Sequence, residues 1–177
     1  MARRDESIIP LSREHQYGLL LSLKLRRGLA RSERSAEWVA RRVSDVQAFF
    51  TGDLQDHFRA EEDVLFPAFR EIPQWTALTG ELRGEHRLLR HLVEQMGDAS
   101  DDERRRLLGE FADRLEKHIR REEDELFPLY ESLADEAVKQ TVGQGLRGII
   151  GDAREPRSRA ILFDPWDLSP SKKEPRS

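Results

Sequence analysis

Six residues in this sequence are spaced as ligands rather than as packing: His15, His57, Glu61, His86, His118 and Glu122. Their spacing comes from an internal repeat. Residues 50–67, FTGDLQDHFRAEEDVLFP, align without gaps on residues 111–128, FADRLEKHIRREEDELFP, with ten of eighteen positions identical at a constant shift of 61. Packing explains the matched Phe50/Phe111 and Leu54/Leu115, but it does not need His57/His118 and Glu61/Glu122 to match. A weaker echo joins Glu14-His15 to Glu85-His86. On a helix, positions i and i+4 differ by about 40°, so His57 and Glu61 share a face, as do His118 and Glu122. Phe50, Leu54, Leu65 and Ala68 fall on the His57 stripe, and Phe111, Leu115, Leu126 and Leu129 on that of His118. His15 lies with Ile8, Leu19 and Leu23, and His86 with Leu82, Leu89 and Val93. Each of four helices is thereby expected to aim one histidine into an apolar core.

An ionised glutamate in such a core costs several kcal/mol unless it is paired. Neutral histidine offers at best a shared proton, whereas two metal cations compensate both carboxylates and use the imidazole lone pairs. The chain has no cysteine, which removes thiolate zinc, iron–sulfur and covalent haem chemistry and leaves imidazole and carboxylate as ligands. Four His and two Glu divide into two half-sites of two His and one carboxylate, a set associated with non-haem Fe(II) that keeps coordination positions open. The expected assignment is His15 and His57 on one metal and His86 and His118 on the other, with Glu61 and Glu122 bridging.

The elements that must position these groups can be read from periodicity. With 177 residues the chain fits one domain, and 36% charged residues with only 11 Gly suit long amphipathic helices. Helix one is expected from Ser12 to about Ala30, and helix two from about Ala36 through Leu65, bending near Pro67. Helix three should run from about Trp75 to Met96. Helix four is opened by the capping box Ser100-Asp101-Asp102-Glu103 and should reach about Pro128. A fifth piece, about Asp135 to Ile150, is interrupted by Gly143, Gly145 and Gly148. The fold class is then all-α: an up-and-down four-helix bundle with a short additional C-terminal helix over residues 1–151 and an irregular tail over 152–177, whose Ile161-Leu162-Phe163 and Trp166 can dock on the bundle. No apolar run approaches the ~20 residues that cross a bilayer, and no apolar segment follows Met1-Ala2-Arg3-Arg4, so no membrane association and a cytoplasmic location are expected. A net charge of −4, with 30 basic residues interspersed among 34 acidic ones, argues against nucleic acid as a partner.

Taken together, His15, His57-Phe-Arg-Ala-Glu61, His86 and His118-Ile-Arg-Arg-Glu122, each repeat followed by EED-x-LFP, resemble the hemerythrin-like (His-His-Glu cation-binding) family over roughly residues 8–130. The resemblance implies two non-haem iron ions with an oxo or hydroxo bridge, and chemistry with O2, NO or peroxide. The oxygen carriers of that family have HxxxH on helix three. Here position 90 is Arg, and His91, at i+5, faces outward unless a π-turn re-aims the helix, in which case it becomes a further ligand. Those carriers also place an acidic residue at i+5 on helix four, where this chain has Glu123. Two His per iron leave both metals open, which favours redox turnover or sensing over reversible carriage.

Glu62, Asp63, Glu123 and Asp124 are expected to be solvated or to support the ligands from outside. Glu125 falls on the His118 face, where it either gates access or reaches solvent. Tyr17 and Tyr130 are candidate redox or hydrogen-bonding partners, with packing the stronger reading for Tyr17. Trp38, Trp75 and Trp166 read as packing. The functional expectation is a di-iron redox or sensor protein, with peroxide decomposition as its enzymatic form. The alternative is an iron-binding or iron/oxygen-reporting module without turnover that addresses a protein partner through the tail.

Overall fold

The long periodic stretches form helices whose starts are set by side-chain caps. The computed structural model describes residues 4–30, 35–153 and 155–162. Helix α1 is Ile9–Leu29. Helix α2, Ala36–Phe49, begins at Ser35, whose hydroxyl accepts the Trp38 N–H. A wide π-turn, Phe50–Leu54, leads into α3, Gln55–Ala60, and a second, Glu61–Leu65, leads into a 3₁₀ turn at Phe66–Phe69. Helix α4 is Pro73–Gln95, and α5 is Asp101–Arg121 with Ser100 as its cap. A third π-turn, Glu122–Leu126, joins α5 to α6, Phe127–Leu133. Helix α7, Glu136–Ile150, starts at Asp135, whose carboxylate accepts the Val138 N–H, and α8 is Arg159–Leu162. With α2–α3 and α5–α6 each forming one rod, the chain is an all-helical bundle of four long rods. Helices α1, α2 and α4 pack on α5, and α7 packs on α3 and the turn after it. Among the described residues, no helix is long and apolar enough to cross a membrane.

The core is split by a layer of four histidines and two glutamates into two apolar clusters. One contains Leu25, Val46, Leu89 and Phe111, and the other Leu11, Leu65, Leu82 and Leu126. Each rod contributes to both, so the four histidines lie at the level where the clusters meet.

The inward face of α1 differs from the expected stripe. Leu19 is half-buried and Leu23 is 37% exposed, while Leu11, His15, Gly18, Ser22 and Leu25 are buried. Small residues set this face because α1 lies close to α5: a Cβ on Gly18 would come within 2.7 Å of Ile119 Cδ1. In the second rod, Phe49 is buried and Phe50 only half-buried. The π-turn inserts one residue between this position and His57, whereas the matching stretch of α5 is regular, so the gap-free repeat is out of register upstream of Leu54.

Two expected boundaries also shift, and one expected cap is incomplete. Helix α1 starts before Ser12, since Pro10 sits in the first turn, where its missing N–H is harmless. The fourth rod passes Pro128: Phe127 N–H bonds the Glu122 carbonyl across the π-turn, and Pro128 then occupies the first turn of α6. The capping box at Ser100 is half formed. The Ser100 hydroxyl accepts the Glu103 N–H, but the Glu103 carboxylate is engaged by Arg106.

Glycines do not interrupt α7 as expected; two of them seat it against its neighbours. A Cβ on Gly145 would lie 2.7 Å from Val64 Cγ1, and one on Gly143 3.2 Å from the Ser7 backbone, while Gly148 faces open space. Segment 155–162 docks on the bundle, with Leu162 buried in the core. Phe163 and Trp166 lie outside the described residues. Two alanine substitutions in α7 should therefore act with opposite sign. Gly148→Ala should stabilise by about 0.5–1 kcal/mol through helix propensity, and Gly145→Ala should destabilise by about 1–2 kcal/mol through overpacking. Thermal melts check this, and equal shifts for both variants would refute close packing at Gly145.

Candidate metal centre

The structure brings His15, His57, Glu61, His86, His118 and Glu122 into one buried layer, none of them more than 3% exposed. Donor atoms fall into two groups, His15/His57/Glu61/Glu122 and Glu61/His86/His118/Glu122, each with all its atoms within 4.8 Å of one another. Both carboxylates belong to both groups. Glu61 Oε1 lies 3.3 Å from His57 Nε2, and its Oε2 lies 3.3 Å from His86 Nε2. Glu122 Oε2 approaches His15 Nε2 at 3.2 Å and His118 Nε2 at 3.3 Å.

These approaches are close but poorly directed, so all four oxygens of Glu61 and Glu122 and the His15 Nε2 are buried without a hydrogen bond. Orphaned buried charge of this kind is costly. His86 Nε2 and His118 Nε2 face each other at 3.1 Å, a separation at which two lone pairs need a proton or a cation between them. The donor set therefore fits metal ions. His91 is turned to solvent on a regular α4, with its Nδ1 3.9 Å from Glu94, and does not join the cluster.

Every histidine uses its other nitrogen to hold a carboxylate. His57 Nδ1 bonds Glu14 at 2.8 Å, His86 Nδ1 bonds Glu62 at 2.7 Å, His118 Nδ1 bonds Glu85 at 2.8 Å, and His15 Nδ1 bonds Glu123 at 2.7 Å. Each rod's glutamate thus supports the histidine of the next rod, and the fourth returns to the first. With Nδ1 donating to a carboxylate, Nε2 is left as the inward lone pair, which fixes both tautomer and ring orientation. Aromatic rings complete the clamp. Phe58 stacks on His86 at 3.8 Å and Phe127 on His15 at 5.2 Å.

Glu62 and Glu123 were open to either a solvated or a supporting role in the sequence; here they hold His86 and His15 from outside. Glu14 and Glu85 were missed, and the signal was the Glu-His dipeptide echo. Glu125 is 56% exposed and reaches solvent, because the π-turn Glu122–Leu126 in which it lies breaks the seven-residue spacing from His118. Tyr17 lines the cavity described below, and Tyr130 is buried with its hydroxyl 3.0 Å from Ser7 Oγ. Trp38 and Trp75 are buried packing residues.

The charge distribution follows. Burial opposes the charged form of His57, but Glu61 and Glu14 outweigh it and raise its pKa well above the usual imidazole value. His15 and His86 are raised in the same way by their carboxylate partners. Burial also opposes the ionised form of Glu61, yet His57 and His86 hold it well below the usual carboxylate range. Glu123 is lowered to about 2, because bonds from His15, Ser12 and Arg4 exceed its burial penalty.

A small cavity of about 10 Å³ adjoins the layer, walled by Gly18, Phe49, Leu54, Phe58 and Leu115 beside His15, His57 and His118. That is about the space of one water molecule.

A helical bundle whose four rods each deliver one histidine to a buried carboxylate pair defines a cation-binding domain. The chain matches the Hemerythrin HHE cation binding domain over residues 8–130 and belongs to that family. No curated protein and no solved structure matches it.

The outer carboxylates carry a testable acid response. A depressed folded-state pKa stabilises the fold fully above the unfolded value and loses that contribution as pH falls through the folded value. For Glu123 the window runs from about 4.5 down to about 2. The metal-free protein should lose thermal stability as pH falls across this window. Glu123→Gln should lower stability near pH 7 and flatten this limb; an unchanged acid profile in that variant would show that Glu123 carries no such charge.

Proposed function

We propose that this protein is a non-haem di-iron protein that binds O2, NO or peroxide and serves a redox or sensing role. The observation that carries the reading is the pair of four-donor groups sharing two hydrogen-bond-orphaned carboxylates beside an apolar, molecule-sized cavity. His15 and His57 would hold one iron and His86 and His118 the other, with Glu61 and Glu122 serving both. Iron in such a setting supplies one-electron chemistry and open positions for a small exogenous ligand.

The chain's own groups set the conditions for that chemistry. Glu14, Glu62, Glu85 and Glu123 keep the imidazoles oriented and hold a proton at each Nδ1. Leu54, Phe58 and Leu115 give the cavity apolar walls beside its histidines, and its volume restricts the ligand to very few heavy atoms. An iron- or oxygen-reporting module without turnover is the second reading. It is favoured by the docking of residues 157–158 onto Asp53, which also lines the cavity.

Reconstitution should give about two irons per chain, as two sets of histidines with shared carboxylates require. Glu61→Ala or Glu122→Ala should bring this toward zero, and His91→Ala should leave content and optical spectrum unchanged. One tightly held zinc, or no metal under any loading condition, would sink the reading. Reduced, loaded protein whose spectrum is indifferent to O2, NO and peroxide alike would leave only the module.

A further inference from the structure

The four corners of the Glu–His ring differ in what covers them. Arg90 holds Glu62, Arg121 holds Glu85 and Arg4 holds Glu123. Those guanidiniums come from the rods themselves or from the segment just before α1. At the remaining corner, Glu14 with His57, the nearby guanidinium arrives from the C-terminal segment. Arg157 bonds Asp56 at 2.6 Å and the Gly52 carbonyl at 3.3 Å, and its charge also acts on Glu14.

Asp53 fastens this segment. Its side chain is buried, and both oxygens are used: Oδ1 accepts the Arg157 N–H at 2.7 Å, and Oδ2 accepts the Ser158 N–H at 3.0 Å and the Ser158 hydroxyl. Asp53 sits in the π-turn Phe50–Leu54, the turn absent from the second half of the repeat. It also lines the cavity next to His57. One residue therefore belongs both to the cavity wall and to the attachment of 157–158. Beyond it, Lys24 donates to the carbonyls of Ile161 and Leu162, and Leu162 is buried.

We propose that residues 155–162 form a lid over the His57 corner, latched by Asp53, which governs passage of small molecules and metal between solvent and the cavity. Residues 155–162 do not line the cavity themselves and act on it by holding Asp53 in its wall, whereas the rest of the lining belongs to long packed rods, whose displacement would disrupt both core clusters. The lid is held by a handful of polar bonds and two buried apolar side chains, Pro156 and Leu162. Segments anchored in this way open locally at far lower free energy than the global fold. Opening also returns the Asp53 carboxylate to water, so the broken bonds are partly replaced.

The role of the lid at a metal rests on the proposed di-iron reading, but its gating of His57 can be tested without metal. Arg157 is 58% exposed, so Arg157→Glu, repelled by Asp53 and Asp56, should unlatch the lid and leave the bundle's melting temperature nearly unchanged. Asp53→Asn gives a second, milder release. In metal-free full-length protein, amide exchange at 155–162 and acylation of His57 by diethyl pyrocarbonate, referenced to His86, should both accelerate. About tenfold is expected, the scale of one net charge-assisted hydrogen bond. In iron-loaded protein, extraction by a ferrous chelator should speed up by a similar factor. Faster exchange at 155–162 with unchanged His57 acylation would overturn the lid, as would unprotected amides at 155–162 in the unmodified protein. If the unmodified protein takes up no iron, the functional reading fails while the acylation result still decides the lid.

Discussion

Two carboxylates with no solvent exposure, Glu61 and Glu122, stand between apolar clusters, and the surrounding structure is arranged to make that tolerable. Charge alternates outward from them. The inner carboxylates are met by four imidazoles, of which His15, His57 and His86 have raised pKa values. Those are met by four outer carboxylates, and three of these are met in turn by arginines at the surface. No shell is neutral by itself, so each fixes the next. At its centre this alternation is left incomplete, and metal ions fit there, at the orphaned oxygens and the facing Nε2 atoms.

The π-turns are the local device that lets a continuous rod do two jobs. Two of them start on the central glutamates, in matching places in the two halves. By absorbing an additional residue, each allows Glu61 or Glu122 to face inward and the next residue to reach a neighbouring rod's histidine, while Leu65 and Leu126 still return to the core. Such turns are commonly found at functional sites because a side chain can be re-aimed there without ending the helix.

The architecture and the inner cluster of histidines and glutamates were legible because both rest on spacing that a regular helix preserves over one turn. His57 and Glu61 are separated by regular α-helix, and so are His118 and Glu122. What the sequence hid lies where regularity fails or where residue type misleads. Phe50 and Glu125 were misplaced because π-turns intervene. The inward face of α1 was read from its leucines, although Gly18 and Ser22 occupy it, since close approach of two helices selects small side chains that hydrophobic periodicity ignores. Glu14 and Glu85 entered only as part of the dipeptide echo and were given no role, because their partners sit on another rod and no intrahelical spacing announces a contact across the bundle.

The circular order of support has a consequence for how the two halves of the repeat depend on one another. The first half supplies His15 and His57 to one donor group but only one of its two carboxylates; the other, Glu122, comes from the second half. The outer support of His15 likewise comes from Glu123, and that of His86 from Glu62 in the first half. Neither half can therefore complete even one of the two donor groups in isolation. The centre is a seam between two similar hairpins, chemically equivalent to the interface of a symmetric dimer fused into one chain. Divergence on either side of the seam, such as the additional π-turn that only the first hairpin carries, can make the two donor groups unequal without dissolving the interface that defines them both.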